Sequence, residues 1–292
     1  MKQESKGVIC LLLSSLFFSI MGAAVKSMPN IPIAQKIFFR NIVGVIITSV
    51  ILIKNKESFI GSNVKLVTLR SLFGVLGVAA NFYAISKLPL SDAVLLNRMS
   101  PFFVILLSLL FLKEKVNKYQ IYAMVFALLG AGFVIKPQFN YTIIPALIGL
   151  CSAVFAAAGY TSVRQLRLYS SPYTIVFFFC MFSALSSVPF MLAGQYVAPS
   201  LKELILLLVI GLTATAAQVF MTTGYRFAPA SRLAIYGYTN IIFSSILAII
   251  LWREFPDLLS VTGGLLIILG GFINYIVTNN KNFDDSAKIE KE

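Results

Sequence analysis

Long apolar stretches alternate with very short polar ones along the whole chain. Ten of them lie near residues 7–25, 32–53, 64–86, 91–112, 117–135, 142–162, 172–192, 202–225, 231–251 and 256–277. At about 1.5 Å per helical residue, each can cross a hydrocarbon core of about 30 Å. The polar connections are short, which makes sequential helices pack antiparallel and leaves no room for an extramembrane domain. Only the charged C-terminal run KNFDDSAKIEKE breaks the pattern. Its composition predicts a disordered tail over residues 279–292.

The pattern also repeats. Sliding the chain by 140 positions lays Pro89 on Pro229, Ser91 on Ser231, Phe103 on Phe243, Glu114 on Glu254 and Gly130 on Gly270. Pro32 falls on Pro172 at the same shift, and Phe18 and Gly22 fall on Phe155 and Gly159 at a shift of 137. Apolar background alone does not place Pro-x-Ser, an apolar span, a basic-acidic pair (Lys113-Glu114, Arg253-Glu254) and a second span ending in glycine in one register. Internal duplication is the reading, with a first repeat over 1–137 and a second over 138–278. At the turns, the proline is expected to end one helix and the serine to cap the next. Asp92 falls in the first turn of its helix, where the helix dipole favours an anion. Gly74 and Gly77, and the pairs at 263–264 and 270–271, read as points of close helix contact.

Composition agrees with a membrane protein: 58% of residues are hydrophobic and 12% charged, against about 25% charged in a soluble domain. The chain has no histidine, and its three cysteines, Cys10, Cys151 and Cys180, lie unpaired in apolar spans. That pattern offers no metal site and no disulfide framework. No GxxxxGK[ST] loop is present, so the chain by itself is not an ATP-driven pump.

The net charge of +13 could suggest nucleic acid as a partner, but membrane sidedness explains it better. With the N-terminus placed inside, fifteen lysines and arginines fall in inner segments and five in outer ones (Lys26, Lys87, Lys136, Lys202 and Arg253). Such a bias predicts both termini in the cytoplasm. Five spans per repeat is an odd number, so the second copy enters the bilayer from the side opposite to the first. The expected fold class is therefore all-α and integral to the membrane, with ten transmembrane helices arranged as two inverted five-helix repeats.

Four basic residues remain, all within spans: Lys36, Arg40, Arg70 and Arg98. Buried charges are costly and normally face a cavity or a partner, yet no Asp or Glu falls mid-span. Lys36, Arg40 and Gly44 share one helix face, and Arg70, Gly74, Gly77 and Asn81 share another. In the second half, Thr215, Gln218, Thr222 and Tyr225 line the corresponding helix, and the repeat shift carries Arg98 onto Tyr238. Lys36 and Arg70 lie close enough to a membrane surface to snorkel or to cap a neighbouring helix; Arg40 and Arg98 lie deeper. Arg40, Arg98, Tyr238, Gln218, Arg70, Asn81 and Lys36 are the candidate substrate-binding residues, with Tyr160, Tyr236 and Asn240 as weaker additions.

The run RSLFGVLGVAANFYAISKLPLSDAVLLNRMSPFFVILLSLLFLKEK at residues 70–115, followed by a helix ending LLGAGFVIKP, resembles the EamA domain of the drug/metabolite transporter superfamily. The second copy departs from the pattern, with Arg232 where the acid follows serine and Ile241 at the position of Pro101. The resemblance implies a ten-helix carrier of a small metabolite, working through a central cavity between the halves without a cofactor. With the cationic face, the expected activity is secondary transport of a small polar, anionic or zwitterionic metabolite, amino acid or nucleotide-like, across the cytoplasmic membrane by alternating access. The alternatives are a channel without a carrier cycle and a membrane-embedded enzyme. The enzyme reading lacks the buried histidine, carboxylate or metal that such chemistry uses. The expected partners are the substrate and the lipid bilayer, with a homodimer left open.

Overall fold

The computed structural model describes residues 3–60, 63–111, 118–135, 143–166, 171–194, 196–227 and 233–289. These form eleven α-helices and one short 3₁₀ helix: α1 (Gln3–Lys26), α2 (Ile33–Asn55), α3 (Val64–Lys87), α4 (Leu90–Asn97), α5 (Ser100–Phe111) and α6 (Lys118–Ile135), then α7 (Ile143–Leu166), α8 (Pro172–Leu192), α9 (Leu201–Phe227), the 3₁₀ helix Ala234–Tyr238, α10 (Thr239–Trp252) and α11 (Leu258–Ile289). Among the described residues, nine helical stretches are long and apolar enough to cross a membrane, and a tenth, Ile143–Gly159, is apolar but shorter. Glu114, Lys136, Pro229, Ser231 and Arg232, and the side chains of Tyr160, Thr222 and Tyr225, lie outside the described residues.

Two spans differ from the continuous helices that hydropathy predicts. The fourth is broken at Arg98 and Met99 into α4 and α5. Pro101 supplies the reason: it has no N–H to donate to the turn before it, and its ring crowds the carbonyl four residues back. It is tolerated because it sits in the first turn of the new helix. The equivalent span of the second half begins as the 3₁₀ helix and becomes α-helical at Thr239. At a shift of 140, Tyr238-Thr239 is the counterpart of Arg98-Met99, so both copies change conformation at the same place.

The serine expected to cap α4 does not do so. Pro89 occupies the N-cap position without a side-chain hydrogen bond, and the Ser91 hydroxyl is buried with no partner among the described residues. The Leu90 N–H instead donates to Glu254 Oε2 at 3.4 Å, so a carboxylate from the other half takes the capping role. The C-terminal run expected to be disordered continues α11 as far as Ile289. It contains no proline or glycine after Gly271. It extends an existing helix and so avoids the cost of nucleation.

Contacts between the halves are two-fold symmetric. α1 packs on α9 as α3 packs on α7, and these are each other's counterparts under the repeat; α2 meets α8 and α6 meets α11, each with its own counterpart. The seams are built from small residues. Ala84, Ala123, Ala127, Ala153, Ala157, Ala217 and Ala248 are fully buried, while Leu185, Ile250 and Leu265 are largely exposed. This inversion suits a lipid solvent, in which close backbone approach rather than expulsion of leucine holds helices together. Between α6 and α11 the approach is extreme: a Cβ on Gly130 would lie 2.5 Å from the Gly263 carbonyl oxygen.

Candidate functional site

Where the halves meet, a cavity of about 130 Å³ opens between α1, α2, α3, α4, α7, α8, α9 and α10. Five of the seven main candidates line it, Arg40, Arg70, Asn81, Arg98 and Gln218, and so does Asn240 of the weaker additions. Its lining includes no aspartate or glutamate among the described residues.

Arg40 and Arg70 come from helices that start on opposite sides of the bundle, and they meet at Phe179 of α8. The Arg70 guanidinium carbon stands 4.1 Å from the ring centroid and that of Arg40 5.5 Å. A cation over an aromatic face is attracted by the ring quadrupole, by about 0.5–2 kcal/mol depending on desolvation. One ring thus helps hold two guanidinium groups in the same wall. Arg40 Nη1 also donates to Asn41 Oδ1 at 2.8 Å. Gly74 leaves the room this needs, since a Cβ there would lie 2.6 Å from Arg70 Nη1 and 2.7 Å from Phe179 Cε2.

Arg98 stands at the break between α4 and α5. Its Nε donates to Asn240 Oδ1 at 3.3 Å, so the link crosses from one half to the other. Asn240 is itself fixed, because its Nδ2 donates to the Ser15 carbonyl at 2.9 Å and to Ser19 Oγ at 2.6 Å. The neighbouring Asn97 donates through Nδ2 to Ser152 Oγ at 2.8 Å.

Two candidates stand outside the lining. Lys36 is 1% exposed and gives its Nζ to the Val25 carbonyl at 3.1 Å, so its charge lies against the negative C-terminal end of α1. Tyr238 turns away toward α11, where its ring lies within 2.8 Å of the space a Cβ on Gly271 would occupy. Its hydroxyl has no hydrogen-bond partner among the described residues. Phe179 and Asn97, which pattern reasoning passed over, belong to the site. Phe179 is one of 25 phenylalanines in the chain and lies in a phenylalanine-rich span, and nothing local distinguishes it.

Among the described residues no cluster of metal-ligating side chains occurs, and the cavity wall offers guanidinium, amide and aromatic groups. These bind anions and polar groups by charge-assisted, often two-pronged hydrogen bonds. They provide neither a nucleophile nor a proton-transfer pair.

A duplicated helical bundle in which each half contributes to a central polar cavity is the architecture of a membrane carrier. The chain belongs to the EamA-like transporter family, whose pattern matches residues 5–136 and again 143–276; it is a multi-pass membrane transporter and not an enzyme. It is 36% identical over 266 residues to the pseudopaline exporter CntI of Pseudomonas aeruginosa, covering 90% of this chain and 93% of that protein. To the human solute carrier family 35 member G1 it is 25% identical over 280 residues, 90% of this chain and 76% of that one. The riboflavin transporter of Brucella anthropi is 27% identical over 248 residues, 82% of this chain and 86% of that one. A solved crystal structure shares the fold with a TM-score of 0.69 at 16% identity, covering 94% of this chain and 98% of the other.

Proposed function

We propose that the protein is a secondary transporter carrying a small anionic or zwitterionic metabolite, amino acid or nucleotide-like, across the cytoplasmic membrane. The observation that carries this reading is the placing of Arg40, Arg70 and Arg98 in one cavity with the amides of Asn81 and Gln218. Cations grouped in a low-dielectric site repel one another, and a ligand of opposite charge relieves that cost. Small-molecule cargo agrees with the names of the exporter and the riboflavin transporter to which the chain is similar.

Alternating access follows from the two halves, 1–137 and 138–278, rocking about the cavity they share, each span of one mated to a span of the other in opposite orientation. The lysine and arginine bias puts both termini in the cytoplasm. A thermal-shift screen of the purified protein against amino acids, nucleotides, organic acids and their cationic analogues tests the substrate charge. Anions or zwitterions should stabilise the protein, and stabilisation by permanent cations alone overturns the reading. Counterflow in vesicles then separates a carrier from a pore, since only a carrier preloaded with the stabilising compound accelerates labelled uptake.

A further inference from the structure

The three arginines of the cavity are held by different partners, and their division restricts the ligand further. Arg40 and Arg70 share Phe179 on the α8 wall. Arg98 is held against the opposite half by Asn240, with Nη1 3.5 Å from the point a Cβ on Gly237 would occupy.

The levels along α3 differ as well. Asn97, next to Arg98, bonds to Ser152, and the Ser152 carbonyl oxygen lies 3.5 Å from the point a Cβ on Gly77 would occupy. The Arg70 guanidinium lies beside Gly74, three residues from Gly77, so the two levels differ by about 4.5 Å along α3. The cavity therefore has two cationic poles on different walls, Arg40 with Arg70 at Phe179 and Arg98 at Asn240.

Resting on the anion reading above, we propose that the site takes a dicarboxylate, one carboxylate on Arg40 and Arg70 and the other on Arg98, with the amides of Asn81 and Gln218 in the same lining. A guanidinium fork matches a carboxylate in two parallel hydrogen bonds, so two separated poles select two separated carboxylates. A compact ion of equal charge reaches only one of them. The second carboxylate would do more than add affinity: by pairing with Arg98 at the α4–α5 break it ties the ligand to the junction of the halves.

The test uses the full-length protein in nanodiscs, titrated calorimetrically with succinate, glutarate and adipate, with the monoamide of each, and with inorganic phosphate. A charge-assisted pair is worth about 1.5–3 kcal/mol, so the best dicarboxylate should bind at least about tenfold more tightly than its own monoamide. In Arg98→Gln that preference should shrink to within about twofold, and in Arg98→Lys, which keeps the charge but not the fork, it should fall only part of the way. Folding of each variant is checked by its melting transition.

Equal binding of dicarboxylate and monoamide by the unaltered protein, or tightest binding of phosphate, overturns the two-pole site while the anionic reading stands. Retention of the preference in a folded Arg98→Gln also overturns it. If no member of the series binds and permanent cations do, both readings fall.

Discussion

Gly74 and Gly77 lie one turn apart on the same helix and in the same sequence motif, yet their environments differ. A methyl at Gly77 would meet Phe155 and Ala156 at 3.4 Å, ordinary contact with α7, whereas at Gly74 it would overlap both Arg70 and Phe179. Gly77→Ala is expected to leave the melting temperature and ligand binding nearly unchanged. Gly74→Ala should fold and insert but lose about tenfold or more in anion affinity, because the guanidinium that must move carries a charge-assisted contact. Binding and melting measurements on the two variants side by side check this. Phe179→Leu removes the shared ring without unfolding α8, and should weaken anion binding in the same direction.

At the scale of elements, the end of the bundle where α1 terminates is closed by contacts between the halves. Lys26 Nζ reaches Glu254 Oε1 at 2.6 Å and the Leu88 carbonyl at 2.9 Å, and lies 5.3 Å from the Trp252 ring centroid. Glu254 in turn caps α4 at Leu90. One carboxylate thus joins α1, the turn into α4 and the α10–α11 connection. A second link between the halves is made by Gln35, which pairs with Val197 in both directions, at 2.9 and 3.1 Å. Both side chains of the ion pair are partly exposed, so its strength is modest, on the order of 1 kcal/mol, but even that shifts a two-state equilibrium several-fold. Glu254→Gln and Lys26→Met are expected to favour the conformation open at this end. A single cysteine at Asn81, placed in a chain lacking the native cysteines, should then react severalfold faster with an impermeant reagent added from that side. Unchanged reactivity in both variants would mean the pair does not restrain opening.

Two predictions belong to the whole molecule. Because the basic residues divide unequally between the two sides, a cysteine at position 87 should be labelled from outside an intact cell and one at position 56 should not. The reverse pattern would overturn the orientation. The second concerns energy. No carboxylate lines the cavity among the described residues, and the chain lacks histidine altogether; these are the groups that commonly titrate in proton symport. Transport of an anion is therefore expected to follow the membrane potential, worth about 2.3 kcal/mol per net charge per 100 mV. In proteoliposomes, a potassium-valinomycin potential should change the rate, and a pH gradient at zero potential should not. Strict proton stoichiometry would contradict this.

By itself the amino-acid sequence determined the membrane class, the spans to within a few residues, the duplication, the presence of buried cations and the family. Each rests on a one-dimensional signal: a run about as long as the bilayer is thick, a fixed shift between copies, a charge where charge is costly. It also placed Arg40, Arg70, Asn81, Arg98 and Gln218 among the candidates, because polar residues on an apolar helix stand out. Only the tertiary structure decided which polar groups share the cavity. Lys36 is as buried and as charged as Arg40, and differs because the end of α1 lies within reach of its Nζ. Tyr238 is the counterpart of Arg98 by shift, yet Gly271 leaves space for its ring on the far side. Phe179 became a site residue through neighbours contributed by α2 and α3, far from it in the chain. Helical periodicity specifies a face, but what that face meets is set by how eleven helices pack, and no local pattern encodes that.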